Sequence, residues 1–495
     1  MPTLVWFRSD LRVSDNTALS RACAGAGDVA GVFIISPWQW RSHDWGGNKV
    51  DFVLRNAAAL ADALAERGIT LHVLTVPRFE EAPAALLTLA RQIRCDRLLF
   101  NREYEVNEQA RDAAVEALLT REGVTVESFD DQTIVAPDAL RTGSGHFYKV
   151  FTPFKNNWLS VVARELPVRL HTAPRKTAAA AARVAQPPAS AKGLGAPERA
   201  GLDLASEQVR ALFPSCDLPR DLWPAGEQEA HRRLKGFVER HIENYKTDRD
   251  FPALAGTSAL SPYLAAGVIS SRQCLAAAIE ANGGKLLTGS VGITTWISEL
   301  IWREFYRHVL VGFPRVCRYR AFKPETESIT WNDNAADFEA WCEGRTGYPI
   351  VDAAMRQLRA TGWMHNRLRM IAAMFLTKDL FIDWRWGERF FMQQLVDGDL
   401  ASNNGGWQWS ASTGTDAAPY FRIFNPASQS EKFDPRGTFI RQWCPQLKDL
   451  DDDAVHDPSR LPPLARARLD YPPPIVDHGQ ARQRVLAAFK SLASA

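Results

Sequence analysis

A chain of 495 residues is too long for one ordinary hydrophobic core, so two or three domains are expected. Hydrophobic residues make up 46% of it and charged residues 23%, the balance of a globular protein, and no run approaches the roughly 20 apolar residues of a membrane helix. A net charge of +2 does not by itself indicate a nucleic-acid partner.

The N-terminus and the cysteines bear on the compartment. The first ten residues, MPTLVWFRSD, contain neither the apolar core of a signal peptide nor a cleavage site. The seven cysteines are an odd number and widely scattered, at positions 23, 95, 216, 274, 317, 342 and 444. This pattern argues against a disulfide framework and lacks the short spacings of a metal site. We therefore expect a cytoplasmic protein without a bound metal.

The first 131 residues alternate β-rich and helical segments. The β-rich runs cover 4–8, 29–36, 70–76, 97–101 and 124–130, and helical patterns cover 49–67, 80–94 and 108–122. Apolar strands joined by helical crossovers predict an α/β domain with a doubly wound parallel sheet over residues 1–131. No G-x-G-x-x-G follows the first run, so a dinucleotide bound there in the Rossmann manner is not expected.

The β pattern ends near the middle of the chain. Residues from about 170 to 200 are rich in Ala, Pro, Arg and Ser, which is typical of an exposed, partly flexible linker. Beyond residue 200, amphipathic segments broken by Gly and Pro predict helices only. We predict an interdomain connector over 132–203, an all-α domain over 204–475 and a C-terminal tail over 476–495.

The helix predicted over 294–313 has two different faces. Apolar residues recur at i+4 steps from Ile297 and form a core stripe, while Glu299 and Trp302 lie on another face. One interpretation is a surface helix with an i,i+4 ion pair between Glu299 and Arg303. The other is a pocket that presents one carboxyl group and an aromatic ring to a ligand.

The run TSALSP at 257–262 predicts a hydroxyl-rich loop that opens a helix. Ser261 as the N-cap and Pro262 at the first helical position would explain it by capping alone. The same arrangement presents free N–H groups and hydroxyls to a phosphate. The residues themselves leave both interpretations open.

Three long motifs give the most specific signal: TTWISELIWREFYRH from 294, GRTGYPIVDAAMRQLRATGWMHNRLRM from 344 and DGDLASNNGGWQWSASTGTDAAPYFRIFNP from 397. Together with VWFRSDLRVSDN at 5–16, they resemble the photolyase/cryptochrome family along nearly the whole chain. Within it the sequence is most similar to class I photolyases, which split cyclobutane pyrimidine dimers. The resemblance implies an all-α C-terminal domain that binds FAD, active as FADH⁻. It also implies a carbon–carbon lyase in which light drives electron transfer to a dimer flipped out of UV-damaged DNA.

The resemblance assigns roles to individual residues. FAD binding is assigned to Tyr245, Thr257, Ser258, Ala259, Leu260, Ser261, Trp296, Arg303, Arg369, Asp397, Gly398, Asp399 and Asn403. The lesion pocket is assigned to Glu299, Trp302, Asn366, Met370 and Trp409. Many relatives have a basic residue where this chain has Ala259, which removes one phosphate contact. For the acidic pair in DGDL, a plain surface loop is the alternative.

Two positions indicate which lesion is repaired. Family members that repair the (6-4) photoproduct carry histidines where this chain has Asn366 and Met370, because their reaction needs proton transfer. Splitting a cyclobutane ring needs electron transfer and two C–C scissions, so an amide and a thioether suffice. His365 is expected to point away from the lesion, since neighbouring helical residues diverge by about 100°.

The same motifs separate relatives that differ in output. Trp409 stands where the single-strand-preferring branch usually has tyrosine, and Asn403 favours the reduced flavin that repair requires. The alternative is a cryptochrome-type blue-light photoreceptor with the same cofactor, and a second alternative is a flavoprotein without photochemistry. A monomer is expected.

Three further sets follow from the resemblance. A tryptophan chain that carries an electron from the surface to the flavin is assigned to Trp331, Trp384 and Trp407, although core packing is the default for any one of them. DNA contacts are assigned to Arg249, Arg303, Arg367 and Arg422. An antenna, 5,10-methenyltetrahydrofolate with a deazaflavin as the alternative, is assigned to His43, Asn107, Glu108, Cys317 and Arg318.

Overall fold

Five β-strands form a parallel sheet in the computed structural model, which describes residues 1–174, 211–213 and 218–492. The strands are β1 (Thr3–Phe7), β2 (Val29–Ile35), β3 (Thr70–Thr75), β4 (Arg97–Asn101) and β5 (Thr125–Phe129). Their order across the sheet is β3-β2-β1-β4-β5, and Val5 at the centre lies opposite Gly31 on one side and Leu99 on the other. The predicted doubly wound α/β fold is confirmed, with strand bounds within two residues of the predicted runs.

Helices cover both faces of this sheet: α1 (Thr17–Cys23), α2 (Pro37–Ser42), α3 (Gly47–Ala65), α4 (Ala82–Gln92) and α5 (Val106–Arg121). Successive strand residues point to opposite faces, so Phe7 packs with α1 and α3 while Trp6 packs with α4 and α5. Both faces are therefore apolar, as in other sheets that are buried on two sides.

The rest of the described chain is helical, apart from one β-bridge between Asn332 and Ile382. Its helices are α6 (Phe151–Arg164), α7 (Glu227–Arg240), α8 (Tyr245–Asp248), α9 (Ser261–Ala265), α10 (Ser271–Ala281), α11 (Val291–Gly312), α12 (Ala335–Glu343), α13 (Pro349–Thr361), α14 (Asn366–Met374), α15 (Trp384–Gln394), α16 (Leu400–Ala411), α17 (Pro426–Phe433), α18 (Thr438–Trp443), α19 (Pro463–Arg466) and α20 (His478–Leu492). The predicted all-α character of the C-terminal half is confirmed. Among these helices and those of the sheet region, none has the length and apolarity that crossing a membrane would need.

Two segments predicted as peripheral contain packed helices. The predicted connector includes α6, whose Trp158 is fully buried, while its portion over 175–203 lies outside the described residues, as does Cys216. The predicted tail contains α20, whose Val485 and Phe489 pack against Phe381. The domain boundaries themselves remain a prediction.

Buried ion pairs fix the sheet region against the helices. Asp131, which follows β5, accepts from Arg12 at 2.5 Å and from Arg272 of α10 at 2.7 Å, and Arg272 also pairs with Asp15 at 2.9 Å. Burial by itself would raise the pKa of Asp131, but the two arginines outweigh it and lower this pKa well below its usual range. The two regions therefore hold a fixed relation around the cavities described next.

Candidate functional site

A cavity of about 510 Å³ lies among α11, α14, α16 and the loop that precedes α9. We call it the central cavity. All five residues predicted for a lesion pocket line it, and so does every residue predicted to bind FAD except Gly398. Gly398 lines a second cavity on the other side of the Asp397–Asp399 turn. Residues from motifs that are far apart in the sequence therefore line one cavity.

The loop over 257–260 offers unpaired backbone donors to this cavity. In the described chain, the N–H groups of Thr257, Ser258 and Ala259 donate to no other protein group. Ala259 has a φ of 48°, in the left-handed region, which turns successive N–H groups toward one side. Such a concave row of donors fits a phosphate.

The capping role predicted for Ser261 is wrong. Helix α9 begins at Ser261, its N-cap is Leu260, and the carbonyl of Leu260 accepts from the N–H of Leu264 at 2.9 Å. The Ser261 hydroxyl instead accepts from the indole of Trp363 at 3.2 Å. The helix starts one residue earlier than predicted, so the hydroxyl is released from capping and faces the cavity wall.

Two carboxylates in the wall are held by arginines. Arg369 donates to Asp397 Oδ2 at 2.8 Å, while the buried Oδ1 of Asp397 has no partner in the described chain. Arg307 donates to Asp399 Oδ2 at 2.6 Å. Burial opposes the charge on Asp399, but Arg307 and Arg303 outweigh it and lower the pKa of this carboxyl. An unpartnered carboxylate oxygen beside free N–H groups fits a ligand that carries both hydrogen-bond donors and phosphates, as FAD does.

Asn403 lies at the cavity wall with its amide already oriented. Its Nδ2 donates to the carbonyl of Glu388 at 2.9 Å, which leaves Oδ1 free to accept. Glu388 itself was not predicted; its buried side chain accepts from Asn404 Nδ2 at 2.9 Å, and burial raises its pKa to about 7. No local pattern identifies Glu388, because its role depends on packing between α15 and α16.

The predicted lesion residues lie at the same cavity. Glu299 pairs with Arg249 at 2.5 Å, so the surface ion pair with Arg303 that the i,i+4 spacing allowed is not formed. Asn366 is exposed, and its Nδ2 lies 3.9 Å from Met370 Sδ. Trp302 is half-buried and lines the cavity.

His365 is turned away from the cavity, as expected, but for a different reason than helical divergence. It is the N-cap of α14, and its Nδ1 accepts from the N–H of Arg367 at 3.2 Å. The side chain is buried, which lowers its pKa to about 4. His365 is therefore a neutral capping residue.

The three predicted chain tryptophans share one apolar cluster. Trp384 and Trp407 are buried members of it, and the half-buried Trp331 packs at its edge. Trp407 also lines the central cavity. A Cβ at Gly387 would lie 2.1 Å from the Trp407 ring, so this glycine lets Trp407 sit directly against α15, the helix that Trp384 begins.

The four predicted DNA-contacting arginines differ in availability. Arg303 donates inward to the carbonyls of Gln132 and Leu264, at 2.8 and 3.0 Å, and is not a rim residue. Arg249 is held by Glu299, and Arg367 donates to Asp250 at 2.7 Å. Arg422 is exposed.

A second cavity, of about 140 Å³, lies between the sheet region and the helices. We call it the interdomain cavity. His43 contacts Asn107 Nδ2 at 2.9 Å and Glu108 at 3.3 Å, and all three line the cavity with Cys317. Arg318 does not line it. Four of the five predicted antenna residues therefore line the interdomain cavity.

Unpredicted residues complete this second site. Lys49 is buried over the ring of Trp45 at 3.5 Å, and burial lowers its pKa to about 8. Burial and the neighbouring Glu108 raise the pKa of Glu105. Glu108 Oε2 is buried without a partner in the described chain. The wall is rich in hydrogen-bond acceptors, although the described residues hold no group of three or more side chains that could bind a metal ion.

A phosphate-type loop in a helical region that follows an α/β region is typical of a protein that binds a nucleotide cofactor. Residues 3–174 match the family model for DNA photolyase, and residues 296–491 match the model for the FAD binding domain of DNA photolyase. The chain belongs to the DNA photolyase family.

Full-length relatives agree with this membership. A deoxyribodipyrimidine photo-lyase of Salmonella typhimurium is 48% identical over 493 residues, which cover 99% of both chains. The protein of the same name from Escherichia coli is 46% identical over 489 residues, covering 99% of this chain and 98% of that one. The solved structure of a bacterial class III photolyase from Agrobacterium tumefaciens is similar with a TM-score of 0.85 and 36% identity, covering 100% of this chain and 98% of that one.

Proposed function

We propose that this protein is a deoxyribodipyrimidine photo-lyase, a carbon–carbon lyase that uses light to split cyclobutane pyrimidine dimers in UV-damaged DNA. Full-length relatives with that name support the assignment. The observation that carries it is the central cavity, where the phosphate-type loop and Asn403 line the same walls as Glu299, Trp302 and Trp409. One cavity can thus bring a flavin and a lesion into contact, which replaces a bimolecular encounter by a bound arrangement.

Different residues in the walls of the central cavity would bind different parts of the cofactor. FAD, when bound in its reduced form and excited by light, would supply the electron that opens the cyclobutane ring and would recover it once the ring has split. The free N–H groups at 257–259 would hold the pyrophosphate, and the unpartnered oxygen of Asp397 would accept from the cofactor's donors. Arg369 holds the Asp397 carboxylate in place through an ion pair of 2.8 Å.

A flipped dimer presents flat faces and polar edges. The indoles of Trp302 and Trp409 stack against the faces, while Glu299 and Asn366 meet the polar edges. Extrusion from the duplex costs a few kcal/mol, and less for a damaged, poorly paired site, which favours the lesion over normal DNA.

The interdomain cavity is proposed to hold the antenna. Its acceptor-rich wall suits a ring system with amino and N–H donors, which supports 5,10-methenyltetrahydrofolate, with a deazaflavin as the alternative. Chromophore released by denaturation and identified by absorbance and mass distinguishes the two.

Both cavities are complete within one chain, which supports a monomer. The six described cysteines are free thiols, which supports a reducing compartment, and we propose the cytoplasm.

The test illuminates fully reduced protein with oligonucleotides that carry either a cyclobutane dimer or a (6-4) photoproduct. We expect repair of the first lesion only, because reversal of the second needs a proton donor and no histidine lines the central cavity in the described chain. Asn366→Ala is expected to retain flavin and to weaken repair by the loss of a hydrogen bond of about 1 kcal/mol. Turnover of the (6-4) substrate, or none of the cyclobutane substrate, would contradict the proposal.

A further inference from the structure

The segment that leads from the sheet region into α6, residues 132–151, is fastened along α11. We call it the strap. Arg303 donates to the carbonyl of Gln132 at 2.8 Å, and buried Glu304 accepts from the N–H of Ile134 at 2.5 Å. Further along the same helix, His308 Nε2 accepts from the N–H of Tyr148 at 2.9 Å. The strap therefore follows the helix that carries Glu299 and Trp302.

The end of the strap is tied to a second element of the central cavity. Thr415 Oγ1 donates to the carbonyl of Lys149 at 2.6 Å, and Asp416 Oδ2 accepts from the N–H of Phe151 at 3.1 Å. These two residues belong to the loop that follows α16, and the N–H of Ala418 in that loop donates to the carbonyl of Trp409 at 3.2 Å. Phe151 is thus held by both sides of the cavity.

The ring of Phe151 lies flat on the indole of Trp302. Their ring centroids are 3.6 Å apart and their planes differ by 7°. Phe305 packs edge-on against both, at 5.8 Å from Phe151 and 5.7 Å from Trp302. One face of Trp302 is therefore covered by a buried ring, and the plane of Phe151 sets the plane that Trp302 presents to the cavity.

We propose that Phe151 is a positioning residue, which holds the indole of Trp302 in the plane on which a flipped pyrimidine dimer stacks. The inference rests on the proposed function of the central cavity. An indole fixed before binding loses less conformational freedom when the lesion arrives, so its stacking contributes more to affinity. Phe151 itself does not line the cavity.

The experiment compares Phe151→Leu with Phe154→Leu in the FAD-loaded protein. Both phenylalanines are buried on α6, but Phe154 packs on Phe305 and His308 and has no contact with Trp302 among the ring contacts of the described chain. The readout is the ratio of affinities for dimer-containing and undamaged oligonucleotides in the dark. We expect Phe151→Leu to lower this ratio about two- to tenfold, the range of one aromatic stacking contact, with unchanged flavin content.

Three further variants separate positioning from general destabilisation. Phe151→Tyr keeps the ring and should restore the ratio. Thr415→Val loosens the strap without touching the ring and should lower the ratio by less than Phe151→Leu. In a Trp302→Ala background, Phe151→Leu should have no further effect, because the two residues act as one unit.

The possible results lead to different conclusions. An unchanged ratio for Phe151→Leu, an equal loss for Phe154→Leu, or an undiminished effect in the Trp302→Ala background would overturn the inference alone. Wild-type protein that binds dimer-containing and undamaged DNA equally would overturn the proposed function and this inference with it.

Discussion

The central and interdomain cavities balance their charges in different ways. In the central cavity, Glu299, Asp397 and Asp399 each contact an arginine, at 2.5, 2.8 and 2.6 Å, and aromatic rings fill much of the remaining wall. In the interdomain cavity, Glu103 pairs with Arg111 at 2.8 Å and Asp399 with Arg307 at 2.6 Å, whereas Glu105 and Glu108 contact no arginine or lysine among the ion pairs of the described chain. Burial and the neighbouring Glu108 raise the pKa of Glu105, so the negative charge on this side of the cavity is only partly compensated.

This difference determines which ligand each cavity can take. A wall whose charges are already paired, with free N–H groups beside it, accepts a ligand that brings its own phosphates and flat rings. A wall with surplus acceptors gains from a ligand that brings hydrogen-bond donors, because buried acceptors without partners are costly. Substitutions of residues that line only one of the two cavities should therefore affect that cavity alone.

The largest effect is expected from Asp397→Ala. Removal of this carboxylate leaves Arg369 without its partner and deletes the acceptor oxygen at the cavity wall. Loss of a hydrogen bond to a charged acceptor costs about 1.5–3 kcal/mol, so flavin affinity should fall by about 10- to 150-fold. The measurement is flavin absorbance per protein after purification, with circular dichroism to verify the fold. Retention of full flavin content would contradict the assignment of Asp397.

Trp331→Phe should abolish photoreduction of oxidised flavin while repair by chemically reduced protein continues. Trp331 is half-buried at the edge of the cluster that contains Trp384 and Trp407, which is where an electron would enter from solution. Transient absorption measures the first activity, and repair of a dimer-containing oligonucleotide measures the second. Trp341→Phe, in the same cluster but outside the assigned chain, is the control. Equal loss of both activities in Trp331→Phe would indicate a structural role.

Glu108→Ala should act on the interdomain cavity alone. The variant removes the contact with His43 and a buried acceptor oxygen, so antenna binding should weaken by about tenfold, the loss of one hydrogen bond to a charged group. Flavin content should stay unchanged. Absorbance spectra should therefore show that Glu108→Ala loses the antenna and keeps flavin, whereas Asp397→Ala loses flavin and keeps the antenna. Loss of both chromophores in either variant would contradict the expectation that each substitution affects one cavity alone.

Much of the fold follows from local patterns, whereas the sites do not. Strand β4 coincides with its predicted run at 97–101, because an apolar segment buried on both sides has a distinct signature. Ser261 illustrates the limit, since capping rules placed the helix start one residue too late. That the residues predicted to contact the lesion and the flavin would line one cavity was implied by the family resemblance and not by their spacing.

Other residues had no detectable signal in the sequence. Phe151 and Trp302 are 151 positions apart, and their stacking arises only when the strap lies along α11. Glu388 depends in the same way on contact between two helices. The i,i+4 rule suggested Arg303 as the partner of Glu299, but Arg249, 50 positions away, pairs with it instead.

His365→Asn should change how the stability of the central cavity's wall depends on pH. The pKa of His365 is about 4 in the folded protein and about 6.5 when unfolded, because burial disfavours its charge. Its contribution to stability is therefore fully present above pH 6.5 and is lost as the pH falls from 6.5 toward 4. Asparagine preserves the cap of α14 and does not titrate.

When the pH is lowered from 7.5 to 5.5, the free energy of unfolding measured in urea should fall by about 1 kcal/mol less for the variant than for wild type. His308, whose pKa burial also lowers to about 4, is retained and serves as the internal reference. Identical pH profiles for the two proteins would exclude His365 as a source of acid sensitivity.

The smallest effect is expected outside both cavities, at Arg422. Arg249 and Arg367 already pair with carboxylates, whereas Arg422 is exposed and has no ion pair within the described chain. If it meets a DNA phosphate, Arg422→Ala should flatten the dependence of log K on log salt by about 0.9, which amounts to a three- to fourfold change in relative affinity between 50 and 200 mM salt. The loss should be equal for damaged and undamaged DNA, because a phosphate contact carries no lesion information. Arg121→Ala, exposed on α5 of the sheet region and close to Glu122 at 3.6 Å, is the control and should leave the slope unchanged. A slope that is the same in Arg422→Ala and wild type would remove Arg422 from the interface, and DNA binding would then depend on arginines that must first leave their carboxylate partners.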